Sequence, residues 1–275
     1  MTPILFALIF LAAGAVGGLL LGFLGIGMAL IAAPALIVAL PHFGLPTAEV
    51  PLVALATTLG CVAMGALTSV SAHAKHGNVD YKTFWALMPL AVGGMGVGSI
   101  LAIEVIPAEA LRWCICIMEL MIAWMMLRPS KRSKTPKAQE NCETPSNGPF
   151  DLGVSFLTGL AGSLIGAGGG IFLVPWLSRR GRKMPTAVGT STAIGLPVVL
   201  VGLLFYALQT TPPNLSTLPG PTLGLIYLPA ALGIGIGSMA SAPFGAWLAM
   251  RAQGNMQKRI FGVILIILAV NVAVA

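Results

Sequence analysis

The sequence predicts an all-α polytopic membrane protein made of two inverted repeats, each a broken helical hairpin followed by three transmembrane helices. Three observations carry that expectation. Of the 275 residues, 57% are hydrophobic and only 8% charged, with a mean hydropathy of +0.93; a soluble domain carries roughly 25% charged residues. Apolar runs long enough to cross a bilayer recur along the chain. Finally, one element is written twice: Gly25-Ile26-Gly27 precedes Pro34, and Gly166-Ala167-Gly168-Gly169-Gly170 precedes Pro175, at the same interval from first glycine to proline.

In chain order the apolar runs are Ile4–Phe23, Leu52–Ala72, Phe84–Ile103, Ala110–Leu127, Ala187–Leu208, Leu223–Met250 and Ile260–Ala275. A span needs about 20 mostly apolar residues, within a range of roughly 17–25, so the last run is short. The start, Met1-Thr2-Pro3, lacks the positive region of a signal peptide, and the first run is read as mature structure. The one long polar stretch holds Lys131, Arg132, Lys134, Lys137, Glu140 and Glu143 among four prolines. It has no apolar periodicity and reads as a linker. The chain thus divides into a first membrane repeat (1–127), a cytoplasmic linker (128–149) and a second membrane repeat (150–275).

The basic residues set the orientation, since Lys and Arg near span ends stay cytoplasmic. The linker is the richest basic segment. Arg179, Arg180, Arg182 and Lys183 form a second cluster, and Arg251, Lys258 and Arg259 a third. Lys75 and Lys82 put the 73–82 connection inside; the uncharged Gln209–Pro221 stretch and Glu104 with Glu109 fit the outside. The linker and the Arg179–Lys183 cluster both belong inside, yet an apolar stretch lies between them. A hairpin turning at Gly166–Gly170 satisfies both, and by the same reasoning the first half turns at Gly25–Gly27. Each half then adds three spans, an odd number, so the halves are oppositely oriented and both termini face outward. Topology also accounts for the net charge of +7 without a nucleic-acid partner. Leu45-Pro46-Thr47-Ala48 echoes Met184-Pro185-Thr186-Ala187, and Gly98-Ser99-Ile100-Leu101-Ala102 echoes Gly245-Ala246-Trp247-Leu248-Ala249.

Paired helix breaks in corresponding places of two halves are the sequence pointer to a transporter binding site. Lipid offers the freed backbone no hydrogen bonds, whereas an anion at a new helix N-terminus meets unpaired N–H groups and the positive dipole end. The substrate-binding candidates are therefore Gly25, Gly27, Gly166, Gly168, Gly169 and Gly170, with hydroxyl donors from Thr57, Thr58, Thr190, Ser191 and Thr192. The plainer alternatives are close helix packing for the glycines and hydroxyls bonded back to their own helix for the others. Pro34 and Pro175 read as kinks. Glu119 is the one acidic residue deep in a predicted span, a candidate for proton coupling or a neutral or helix-paired carboxyl. Arg112 reads as snorkelling to the outer interface, and His73 and His76 as part of a solvated inner loop. The Arg179–Lys183 cluster also offers a field that concentrates anions at the inner mouth.

No cofactor or metal site is expected. Cys114 and Cys116 fall on nearly opposite helix faces, and Cys61 and Cys142 stand alone. No His-Glu-x-x-His pattern or phosphate-binding loop occurs, which argues against an intramembrane enzyme and a primary pump.

Several segments in order carry a family resemblance: Gly166-Ala167-Gly168-Gly169-Gly170-Ile171-Phe172-Leu173-Val174-Pro175, then Ala187-Val188-Gly189-Thr190-Ser191, together with His73–Lys82 and Gln257-Lys258-Arg259-Ile260-Phe261-Gly262. Across nearly the whole chain outside the linker, the sequence resembles the sulfite exporter TauE/SafE family of bacterial anion permeases. The resemblance implies a multi-pass protein of the bacterial inner membrane that exports, or sometimes takes up, small anions such as sulfite, sulfoacetate or thiosulfate. A carboxylate permease and an anion channel are the alternatives. The first half departs from the pattern: Met28 and Ala29 follow Gly27, and Val50-Pro51-Leu52 stands where the second half has Gly189-Thr190-Ser191.

Overall fold

In the computed structural model, residues 3–24, 28–127, 148–251 and 254–274 are described. The proposed break at Gly25–Gly27, most of the linker (128–147) and Cys142 lie outside the described residues. The first half contributes α1 (Pro3–Leu24), α2 (Ala29–Ala39), α3 (Val50–Lys75), α4 (Tyr81–Ile100) and α5 (Ala108–Leu127). The second contributes α6 (Pro149–Ile165), α7 (Gly170–Arg179), α8 (Met184–Ala207), α9 (Leu228–Arg251) and α10 (Gly254–Val274).

Among the described residues three helices, Val50–Lys75, Tyr81–Val105 and Pro185–Ala207, are long and apolar enough to cross a membrane, and shorter apolar helices accompany them. The apolar surface turns outward as well as inward. On α5, Trp113, Ile117, Leu120 and Trp124 are exposed on one face, while Leu111, Ile115, Cys116, Ile122 and Ala123 are buried on the other. A helix apolar all round fits a bilayer rather than water. The protein is therefore an all-α multi-pass membrane protein.

Element boundaries differ from the sequence reading at two places. A π-helical turn, Leu101–Val105, extends α4 past the expected stop, and Glu104 falls within it. The span expected from Leu223 begins at Leu228. Before it, β1 (Thr222–Leu223) pairs antiparallel with β2 (Ile226–Tyr227) around Gly224, whose φ is +57°. Backbone there is paired across a hairpin instead of along a helix.

Each half lends a helix to the other. α1 packs along α9, and α6 packs along α4; α3 meets α8, and α5 meets α10. The α6–α4 contact is close: the Ser155 hydroxyl donates to the Leu87 carbonyl at 2.7 Å, and Gly159 lies directly under the Ala91 carbonyl. On the other side Gly14 of α1 lies under the Ile234 carbonyl and Gly18 under Ser238 of α9. Positions 14 and 18 differ from 155 and 159 by the same interval that separates Gly25 from Gly166. Likewise 87 and 91 differ from 234 and 238 by the interval that separates Gly98 from Gly245. Small residues let the backbones meet without intervening side chains, the usual means of helix association where lipid supplies no hydrophobic drive.

Two long-range hydrogen bonds repeat the exchange. Thr57 of α3 accepts from the Tyr227 N–H at 3.1 Å, just before α9 begins. Thr190 of α8 accepts from the Asp80 N–H at 2.9 Å, just before α4 begins. Each satisfies an N–H at the entrance of a helix from the opposite half, where no intrahelical acceptor exists.

Candidate functional site: the glycine break between α6 and α7

Helix α6 ends in the left-handed conformation at Gly166 (φ +73°), whose N–H and that of Ala167 both return to the Gly162 carbonyl. A second left-handed residue, Gly169 (φ +77°), opens α7, with the N–H groups of Phe172 and Leu173 returning to its carbonyl. L side chains disfavour this region, so glycine is required at both positions. The first N–H groups of α7 have no intrahelical acceptor and need partners from outside.

The break is enclosed by small and hydroxylated residues. A Cβ at Gly166 would lie 3.2 Å from the Thr58 side chain, and one at Gly168 would lie 2.9 Å from Val199 and 3.1 Å from the Gly195 carbonyl of α8. Ser191 sits beside Gly170, its Oγ 3.5 Å from the Gly170 carbonyl. A Cβ at Gly169 would press on Thr158 at 2.5 Å. Ile165 and Ala167 share a buried cluster with Ala29 and Leu30 at the start of α2, Ile122 and Ala123 of α5, and Leu265 of α10. The second-half break thus abuts the start of the helix that follows Gly25–Gly27.

The structure brings some of the sequence candidates to this place and gives others different partners. Thr58 is fully buried, and its hydroxyl oxygen has no hydrogen-bond partner among the described residues. Thr57 and Thr190 are occupied by the Tyr227 and Asp80 N–H groups. Thr192 donates to the Val188 carbonyl of its own helix at 2.8 Å. Glu119 is completely buried on α5, one helical turn before Ile122 and Ala123, and neither carboxyl oxygen has a partner among the described residues. Arg112, two turns earlier on the same helix, is half-buried with its Nε also unpartnered. Cys116 lies between them in sequence and donates to the Ala269 carbonyl at 2.9 Å. No group of three or more His, Cys, Asp or Glu side chains suited to a metal occurs among the described residues.

Two carboxylates that sequence reasoning passed over hold the basic cluster. Arg180 pairs with buried Asp151 at 2.6 Å, and the same oxygen, Oδ1, accepts from Trp176 Nε1 at 3.0 Å. The guanidinium also lies 5.1 Å from the Trp176 ring centre. This triad ties the start of α6 to the end of α7, joining the two legs of the broken hairpin at their open end. Arg182 pairs with Asp80 at 2.9 Å and donates to Thr83 Oγ1 at 3.2 Å. Asp80 itself caps α4, accepting from the Lys82 and Thr83 N–H groups and the Thr83 hydroxyl. Both carboxylates carried signals in the sequence. Asp151 stands in the first turn of an apolar helix, and Asp80 stands where an N-cap belongs.

A protein with apolar surface on both sides of its helices and a buried, glycine-broken helical hairpin is a membrane transporter by class, and comparison with known proteins agrees. The profile of the family described as "Sulfite exporter TauE/SafE" matches residues 10–272, and the chain belongs to that family. It is 28% identical over 266 residues to a probable membrane transporter protein of Haemophilus influenzae, covering 97% of both chains. A probable membrane transporter protein of Xylella fastidiosa is 27% identical over 95% of this chain and 93% of its own. One from Methanocaldococcus jannaschii is 25% identical over 84% and 82%. No solved structure matches.

Proposed function

We propose that the chain is a secondary transporter of the bacterial inner membrane that exports small sulfur-containing anions, such as sulfite or sulfonates, by alternating access between two inverted halves. The observation that carries this reading is the buried break at Gly166–Gly170, walled by Thr58, whose hydroxyl has no protein partner. Sulfite and sulfonates present several acceptor oxygens. The N–H groups of the α7 first turn, which have no intrahelical acceptor, its dipole and the Thr58 and Ser191 hydroxyls supply donors without a fixed cation at membrane depth. Gly168, Gly169 and Gly170 keep side chains out of the approach, and Gly25 and Gly27 are assigned the matching role in the first half.

The inverted-repeat architecture draws support from the exchanged contacts: α1 on α9 against α6 on α4, and Thr57–Tyr227 against Thr190–Asp80. Glu119 is assigned proton coupling because it is a carboxyl buried at membrane depth with no partner among the described residues.

Uptake into proteoliposomes tests the reading, using labelled sulfite, small sulfonates and carboxylates with and without an imposed pH gradient. Saturable, gradient-stimulated flux of a sulfur-containing anion is expected. Flux without saturation or gradient response contradicts a coupled transporter and favours a channel, and flux confined to carboxylates reassigns the substrate.

A further inference from the structure

We propose that the groove between α3, α4 and α8 binds an anionic phospholipid, with an acyl chain along the groove and the phosphate facing Lys75 and Lys82. The groove encloses about 400 Å³ and is lined almost wholly by apolar groups, including Val70 and Ala74 of α3, Trp85 and Met88 of α4, and Leu196 and Leu200 of α8. Such a lining suits hydrocarbon and offers a small hydrophilic anion no converging donors. From Tyr81 to Met88 it follows α4 for about 10 Å at 1.5 Å per residue, the proportions of a chain lying along a helix.

The mouth is built for a headgroup. Tyr81 and Trp85 are 60% and 65% exposed one turn apart at the start of α4, the placement aromatic side chains take at the membrane–water boundary. Lys75 follows Ala74 at the end of α3, and Lys82 follows Tyr81; both are exposed. Neither has a carboxylate partner among the described residues, because nearby Asp80 is engaged by Arg182 and by the cap of α4. Two exposed lysines next in sequence to the lining residues Ala74 and Tyr81 offer ammonium groups for one lipid phosphate with negative charge to spare, which a zwitterionic headgroup lacks.

The walls are fixed in advance. The 76–80 connection is held on α8 by the Asp80 N–H to Thr190 bond at 2.9 Å and by the close approach of the Asn78 carbonyl to Gly189. On α8, Leu196 and Pro197 line the groove immediately after Gly195, whose carbonyl touches Gly168. A lipid in the groove therefore bears on the helix that walls the glycine break.

The full-length protein in phosphatidylcholine nanodiscs provides the test, with a small fraction of either brominated-chain phosphatidylglycerol or brominated-chain phosphatidylcholine added. Quenching at Trp85 is read as the difference between the unaltered protein and Trp85→Phe. Brominated phosphatidylglycerol is expected to quench Trp85 at least threefold more strongly than brominated phosphatidylcholine at equal mole fraction, and Lys75→Gln with Lys82→Gln should remove the preference. Equal quenching by the two lipids overturns the proposal on the unaltered protein alone, whether or not the double variant folds. Undiminished preference in a folded double variant overturns it too. No quenching by either lipid excludes a lipid occupant.

Discussion

Asp151 and Glu119 are both buried carboxyls in apolar helices, yet their surroundings are opposite. Asp151 gives one oxygen to Arg180 and Trp176 and closes the open end of a hairpin. Glu119 has no partner on either oxygen and lies one turn from the cluster at the glycine break. Burying a charge without a partner is costly, whereas pairing and hydrogen bonding compensate much of that cost. The first arrangement ties two helices together; the second is the one to which the proposed proton coupling is assigned.

Removing a partner from the ion pair has the largest expected effect. Arg180→Ala leaves Asp151 buried with only the Trp176 donor, and should destabilise the protein by about 3 kcal/mol. Asp151→Asn spares the buried charge, and Arg180, 31% exposed, turns to water; the loss should be about 1–2 kcal/mol. Melting of the detergent-solubilised protein reads both. Glu119→Gln keeps the size and shape of the side chain and breaks no hydrogen bond among the described residues, so melting should change by less than about 0.5 kcal/mol while the pH dependence of transport weakens. An unchanged pH profile removes Glu119 from coupling.

The threonines divide along the same line. Thr57→Val and Thr190→Val each deprive a helix-entry N–H of its acceptor and should cost about 1–2 kcal/mol. Thr58→Val removes a hydroxyl with no protein partner, so stability should hold while the anion binds less tightly. Equal destabilisation by all three would erase the distinction between scaffold and site.

The smallest effect concerns acid. Burial pushes the Asp80 carboxyl up, but the Thr83 hydroxyl and N–H, the Arg182 guanidinium and the Lys82 N–H outweigh it, and the group titrates below its ordinary value. A depressed folded-state value means that its contribution is whole above the unfolded value near 3.9 and fades as pH falls through the folded one. A melting curve recorded from pH 7 to pH 3 should show this loss only at the acid end, and Asp80→Asn should abolish that part of the slope.

The glycine break, the membrane spans and their approximate ends were legible in sequence because each is a local pattern: an apolar run, a Gly cluster, a downstream proline. Glu119 was legible for the same reason, one charge in an apolar stretch. Which hydroxyl faces the break was not. Thr57 and Thr58 are neighbours in sequence, and only the approach of Tyr227 from 170 residues away distinguishes them. The basic cluster was read from charge alone as topology with an anion-attracting field. Arg180 and Arg182 prove to be committed to Asp151 and Asp80, partners that the chain pattern does not bring together. The hairpin at Thr222–Tyr227 was missed because two-residue strands leave no periodicity to read.

The anion site itself is tested most directly by sulfite flux into proteoliposomes carrying the unaltered protein or Thr58→Val, each matched for inserted protein and for melting temperature. Saturable flux is expected in both, with the half-saturating concentration raised about tenfold in the variant, the equivalent of one hydrogen bond of about 1.4 kcal/mol. Identical saturation curves would place the substrate away from the glycine break and contradict the assignment.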